Sequence, residues 1–161
     1  MKLYDHKYMS FILRDDRIDF VWKPQTEDMD DHGFQYSILR YASYVMEYNC
    51  KKVLIDLTEF KFTPSEASGK FHSDYVTPIY NMVGVTKKVF VAPFMENKVI
   101  GKEPGTDYDN AFMKSNDDAV AACRIYGRYP IAEQLDDILF EPPERENFAE
   151  FLQNKGEKTD A

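Results

Sequence analysis

Apolar runs rich in β-branched and aromatic residues cover 8–14 and 17–23, on either side of the polar pair Asp15-Asp16. Two such runs around a short polar break predict a β-hairpin, and in a strand successive side chains point to opposite faces. In the second run Ile18, Phe20 and Trp22 share one face and Asp19 points the other way. Beyond Pro24 the period changes. Phe34, Ile38, Tyr41, Val45 and Tyr48 recur at spacings of four and three, and Ala42 and Met46 widen the stripe. This predicts an amphipathic helix ending near Asn49. Thr26 is its expected cap, with Glu27, Asp28, Asp30 and Asp31 in the first turn, where the helix dipole favours acids.

Val53 to Leu57 is a short apolar run behind Lys51-Lys52, the pattern of a strand buried on both faces in a parallel sheet. Thr63-Pro64-Ser65-Glu66 then offers a capping hydroxyl, a proline at the first helical position and an acid at the third. A second helix is expected from residue 64, with Ala67, Phe71 and Tyr75 turned inward, a break or kink at Thr77-Pro78 and a stop at Gly84. Lys87-Lys88 followed by Val89 to Ala92 repeats the pattern of a basic lead-in and a buried strand. Residues 93–110, with Pro93, Gly101, Pro104 and Gly105, read as a loop with at most one short helix. A last strand is expected at 111–114, a helix from Ser115 to Gly127, and another short helix over 130–140. The fold class predicted is α/β: a single-layer mixed, largely parallel sheet with packed helices, starting with a β-hairpin. One domain over residues 1–140 and a charged, mobile tail over 141–161 complete the expected organisation.

Composition narrows the function classes. A net charge of −8 and no basic cluster longer than two adjacent residues argue against nucleic acid and anionic membrane as partners. No stretch has the length and apolarity of a membrane span, and Met1 to Lys7 lacks the apolar run of a signal peptide, so a cytoplasmic location is expected. Cys50 and Cys123 suit neither a disulfide framework nor a zinc motif, and are expected to be small buried hydrophobes. Aromatic residues make up 15% of the chain, which predicts a bulky core or an aromatic-lined groove.

No catalytic or metal motif emerges, and neither an enzyme nor a cofactor is expected. Asp28 to Gly33 imitates the start of a calcium loop, but its twelfth position is Leu39. His6, His32 and His72 lack zinc spacing. Gly101 to Thr106 has the composition but not the order of a phosphate loop. Ser65, Ser68, His72 and Asp74 lie together in the chain without a nucleophile elbow. Asp56 inside an apolar strand must sit near the strand's C-terminal end or be paired, because burying a lone carboxylate is costly. Asp56, Thr58, Thr63 and Ser65 are therefore candidate binding or regulatory residues at the ends of the parallel strands, or else merely bond the loop and cap.

The run Val53 to Thr58, the following Phe60 and Phe62, the helix opening at Thr63 to Ala67, the strand Val89 to Ala92 and the Asp117-Asp118-Ala119 helix together resemble the STAS domain of anti-sigma-factor antagonists. The likeness is to its SpoIIAA-like (STAS/SEC14-like) branch, and covers residues 8 to about 128 by element order. The family's phosphorylatable serine falls on Ser65, with Pro64, Glu66 and Ala67 where the family has Asp, Ser and Gly. The resemblance implies a non-enzymatic regulatory or protein-binding module. Its alternative is a binder of a small apolar ligand between the second helix and the sheet, with Phe71, Tyr75 and Tyr80 lining the groove. A homodimer is possible.

Overall fold

The computed structural model describes residues 1–125 and Tyr129. They form an α/β fold around one seven-stranded mixed sheet of order β1-β2-β3-β4-β5-β7-β6. The strands are β1 (Lys2–Asp5), β2 (Met9–Leu13), β3 (Arg17–Trp22), β4 (Lys52–Asp56), β5 (Lys87–Val91), β6 (Lys98–Lys102) and β7 (Asp109–Met113). The helices are α1 (Asp31–Glu47), α2 (Glu66–Phe71), α3 (Thr77–Val83) and α4 (Asn116–Arg124). A 3-10 turn (Pro24–Asp28) precedes α1, and a π turn (His72–Val76) joins α2 to α3. The expected helix over 130–140 and the tail over 141–161 lie outside the described residues.

β3, β4, β5 and β7 run parallel, with Ile55 beside Phe90 and Phe90 beside Phe112. β2 and β3 pair antiparallel. A further strand, β1, pairs outside them, so the sheet opens with three antiparallel strands. β6 runs antiparallel on the far edge within the stretch read as loop. Its sequence hides it, because Gly101 at φ 75° sits at a bulge that interrupts the alternation.

The parallel strands are covered on both faces. α1, α2 and α3 share one face, and α4 packs over β4, β5 and β7 on the other. The aromatic residues mostly fill the first interface. Phe11 meets Phe20 edge-on at 5.0 Å, Phe20 meets Trp22 at 4.4 Å, and Trp22 lies between Phe34 and Phe60 at 5.7 and 4.7 Å. Phe34, Ile38, Tyr41, Ala42 and Val45 of α1 are buried, whereas Met46 and Tyr48 at its end are exposed. Asp19 turns to the opposite face, where Arg14 and Arg17 hold it at 2.9 and 2.8 Å.

The helix caps differ from the sequence expectation. Asp30, not Thr26, caps α1 by accepting the Gly33 N–H at 2.8 Å. Thr26 is buried, where its hydroxyl donates to the Lys23 carbonyl and accepts the Lys61 N–H. Ser65, not Thr63, caps α2, and the helix starts two residues later than expected. Asp31 Oδ1 ties the start of α1 to the start of α2 by accepting both the N–H (2.9 Å) and the hydroxyl (2.8 Å) of Ser65. Gly84 closes α3 in the left-handed conformation, as expected.

The later start turns the second helical segment. Ala67 and Tyr75 are exposed and Phe71 half-buried, while Ser68, His72, Val76, Thr77 and Tyr80 point inward. The expected break at Thr77-Pro78 is instead a π turn just before it: the Thr77 N–H bonds the His72 carbonyl, and the helix continues through Pro78. Ser65→Ala removes the cap and one donor to Asp31, and is expected to lower stability by ~1–2 kcal/mol, against ~0.5 kcal/mol or less for Thr63→Ala. Urea midpoints of the two variants check this; equal losses would return the cap to Thr63.

Candidate functional site

The pair Lys87-Lys88, read as a basic lead-in to a strand, lies inside β5 and is buried, with exposures of 2% and 1%. In the corresponding pair at β4, Lys51 is exposed and Lys52, the first strand residue, is half-buried. Consecutive strand residues must face opposite ways, and in β5 both ways lead into the protein. Lys87 goes to the α4 face, where its ammonium is 3.9 Å from the buried Asp109 carboxylate and 5.0 Å from the centre of the Tyr129 ring. Lys88 goes to the α1–α3 face and meets an imidazole.

His72 Nε2 is 2.6 Å from Lys88 Nζ. An ammonium only donates, so while Lys88 is charged Nε2 must accept and the ring proton must sit on Nδ1. Nδ1 faces Thr77 Oγ1 at 3.3 Å, and that hydroxyl is 3.1 Å from the Tyr108 hydroxyl. The π turn brings His72 and Thr77 onto one line. Residues five apart in a regular α-helix point about 140° apart, whereas one i→i+5 turn inserts the extra residue that aligns them. Three rings, Phe90, Tyr80 and Tyr108, surround the Lys88 amine at 5.3, 5.6 and 5.8 Å. Every buried side-chain nitrogen and oxygen among the described residues has a hydrogen-bond partner.

This group forms the floor of a cavity of about 420 Å³. One wall is the turn of Glu66, Gly69, Lys70 and Ser73; the other is the segment 103–106 between β6 and β7. Phe90 and Phe112, neighbours in register, stack at 4.7 Å beneath it, and Asn110 lies beside Lys88 in the ladder. The volume suits a small organic molecule, and charged residues of both signs line the walls.

Burial pushes the Lys88 amine down to about 7, against an opposing pull from the Glu103 carboxylate. His72 is held well below its ordinary value, first by burial and then by the charge of Lys88. Burial also pushes the Tyr108 phenol up, so it stays a neutral donor.

The residues singled out from the sequence lie elsewhere. Asp56 is half-buried at the end of β4, where its carboxylate accepts the Thr58 N–H at 2.9 Å. Thr58 and Thr63 are exposed. Ser65 is tied to Asp31, and so is the buried Ser68, whose hydroxyl also accepts from Gln35. Of the expected groove residues, Phe71 and Tyr75 stack on each other at 4.8 Å, and Tyr75 is 57% exposed. Neither these two nor Tyr80 is among the described lining residues of the cavity; Tyr80 lies behind the Lys88 amine. Among the described residues no three His, Cys, Asp or Glu side chains are placed to share a metal ion, and no helix is long and apolar enough to cross a membrane.

The two depressed groups tilt stability with pH. A base whose folded value is lowered binds fewer protons than in the unfolded chain between the two values, so stability rises with pH across that window. For Lys88 the window runs from about 7 to 10.5; below it the full penalty, a few kcal/mol in order of magnitude, is present. For His72 it lies below 6.5. Lys88→Met is therefore expected to be more stable than the parent at pH 6–7 and to lose the upward slope between pH 7 and 10. Urea unfolding at pH 6, 8 and 10 reads this, and an unchanged slope would place the charge elsewhere. Compared with protein-family models, with curated proteins and with solved structures, the chain matches none.

Proposed function

We propose that this chain is a non-enzymatic binding module for a small polar molecule, held in the cavity between the second helical segment and strands β5 and β7, with Lys88 as the recognition group. One observation carries the reading. A wholly buried amine stands beside an imidazole and a hydroxyl pair at the floor of a 420 Å³ cavity, where apolar packing alone would have used a methionine or leucine. Keeping a lysine there costs stability. A ligand group that accepts from the ammonium restores what desolvation removes.

The STAS-like order of elements supports a regulatory role for such a module. β4 and β5 lie side by side and parallel, with a capped helix opening after β4. A protein partner at the rim of Thr58, Thr63 and Ser65 would report ligand occupancy through that helix. The surroundings of Ser65 favour the cavity over a phosphate switch, because a phosphoryl group there would face the Asp31 and Glu66 carboxylates. An apolar ligand would offer no hydrogen-bonding group to the Lys88 amine, the Tyr108 hydroxyl and Asn110, all of which line the cavity.

A thermal-shift panel of small carboxylates, keto acids and sugar phosphates tests the assignment. At a hundredfold excess over Kd a ligand adds about 2.7 kcal/mol, which is several degrees in Tm for a domain of this size. The parent chain is expected to respond and Lys88→Met to remain flat. Equal shifts in both proteins, or none in either, would remove Lys88 from the binding site.

A further inference from the structure

We propose that Lys88 holds its ligand covalently and reversibly as an imine, so that the molecule the cavity receives is an aldehyde or ketone. This rests on the cavity being the ligand site and names the chemical class that fits it.

The two lysines of β5 make the internal comparison. Lys87 stands 3.9 Å from the Asp109 carboxylate and is not among the described lining residues of the cavity. Lys88, one residue on, lies on the cavity floor among three aromatic rings, with His72 Nε2 at 2.6 Å and the Glu103 carboxylate on the cavity wall. A protonated amine has no lone pair to give; burial among apolar rings disfavours the charged form and leaves a nucleophile. The cavity opens onto that amine, and its other floor groups complete the chemistry. The His72–Thr77–Tyr108 hydroxyl line runs from the amine to a phenol that itself lines the cavity.

The step balances without any redox partner. The neutral Lys88 nitrogen adds to the carbonyl carbon, and one of its protons passes to His72 Nε2. The Nδ1 proton, relayed through Thr77 and Tyr108, goes to the carbonyl oxygen to give a carbinolamine. The second proton of the nitrogen follows the same line to the carbinolamine hydroxyl, which departs as water while the C=N bond forms. Amine and carbonyl enter; imine and one water leave. Added water reverses the sequence, so the ligand is released unchanged and no turnover is required.

The half-neutral amine expected near pH 7 supports the same conclusion, since an exposed lysine is almost wholly protonated there. The test uses the full chain with glyoxylate, an aldehyde small enough for the cavity, and sodium cyanoborohydride to fix any imine as a secondary amine. Peptide mapping then compares Lys88 with the exposed Lys61. Lys88 is expected to be labelled at least tenfold faster at pH 7, with a rate that levels off above pH 8 while that of Lys61 keeps rising. His72→Gln is expected to slow Lys88 labelling about tenfold and leave Lys61 unchanged. Labelling of Lys88 no faster than Lys61 would overturn the imine. Glycolate, which has the same charge and similar size but no aldehyde, separates the two claims. If it raises Tm while glyoxylate labels nothing, the polar-ligand site stands and the imine falls; if neither acts, both fall.

Discussion

Two adjacent lysines in a strand covered on both faces form the constraint around which this fold is arranged. Neither can reach solvent by choosing the other face, because the pleat assigns Lys87 to one side and Lys88 to the other. Each ammonium must therefore find compensation inside. On the α4 side it is the Asp109 carboxylate, with the Tyr129 ring across from it. On the α1–α3 side it is an imidazole and three aromatic faces. The first arrangement sets an ammonium against a carboxylate away from the cavity. The second sets a buried amine, which burial disfavours in its charged form and the Glu103 carboxylate favours, next to a space large enough for a ligand.

The shape of the second helical segment answers to that amine. Its inward face carries Ser68, His72 and Thr77 where packing alone would favour apolar residues. A regular helix would point His72 and Thr77 in different directions; the π turn aligns them over Lys88 and towards Tyr108. Upstream, Asp31 fixes the phase of that segment by gathering the Ser65 N–H and the hydroxyls of Ser65 and Ser68 onto one oxygen. The start of α1 thus sets the rotation of α2, and the rotation of α2 decides which residues meet the strand. The aromatic layer between α1 and β2–β3 holds α1 in place and takes no part in the cavity.

The contrast between the strand-end residues and the cavity has the same origin. Asp56 sits where open parallel sheets commonly bind ligands, but its carboxylate folds back onto the Thr58 N–H. The polar groups that converge do so over the face of β5 and β7, with Lys88 and Asn110 paired at the second residue of each strand. Function in this molecule is placed by what covers the sheet rather than by where its strands end.

Local patterning by itself predicts strands at 8–14, 17–23, 53–57, 89–92 and 111–114, a helix with the stripe Phe34 to Tyr48 and a stop at Gly84. The elements β2, β3, β4, β5, β7, α1 and the Gly84 cap overlap them, because β-rich runs, apolar runs and a period of 3.6 are local signals. It also determined that Cys50 and Cys123 are buried. The edge strand β6 was illegible because a glycine bulge breaks its alternation, and β1 because four half-polar residues carry no period. The caps slipped because several hydroxyls and acids compete at each helix start, and only the contact between Asp31 and Ser65 chooses among them. Lys88 was illegible for a deeper reason. A basic pair before an apolar run has the same local pattern whether solvent or a helix lies above it. Only the packing of His72, Tyr80 and Tyr108 over β5, residues far from it in the chain or separated by a turn, turned that pair into a buried amine at the floor of a cavity.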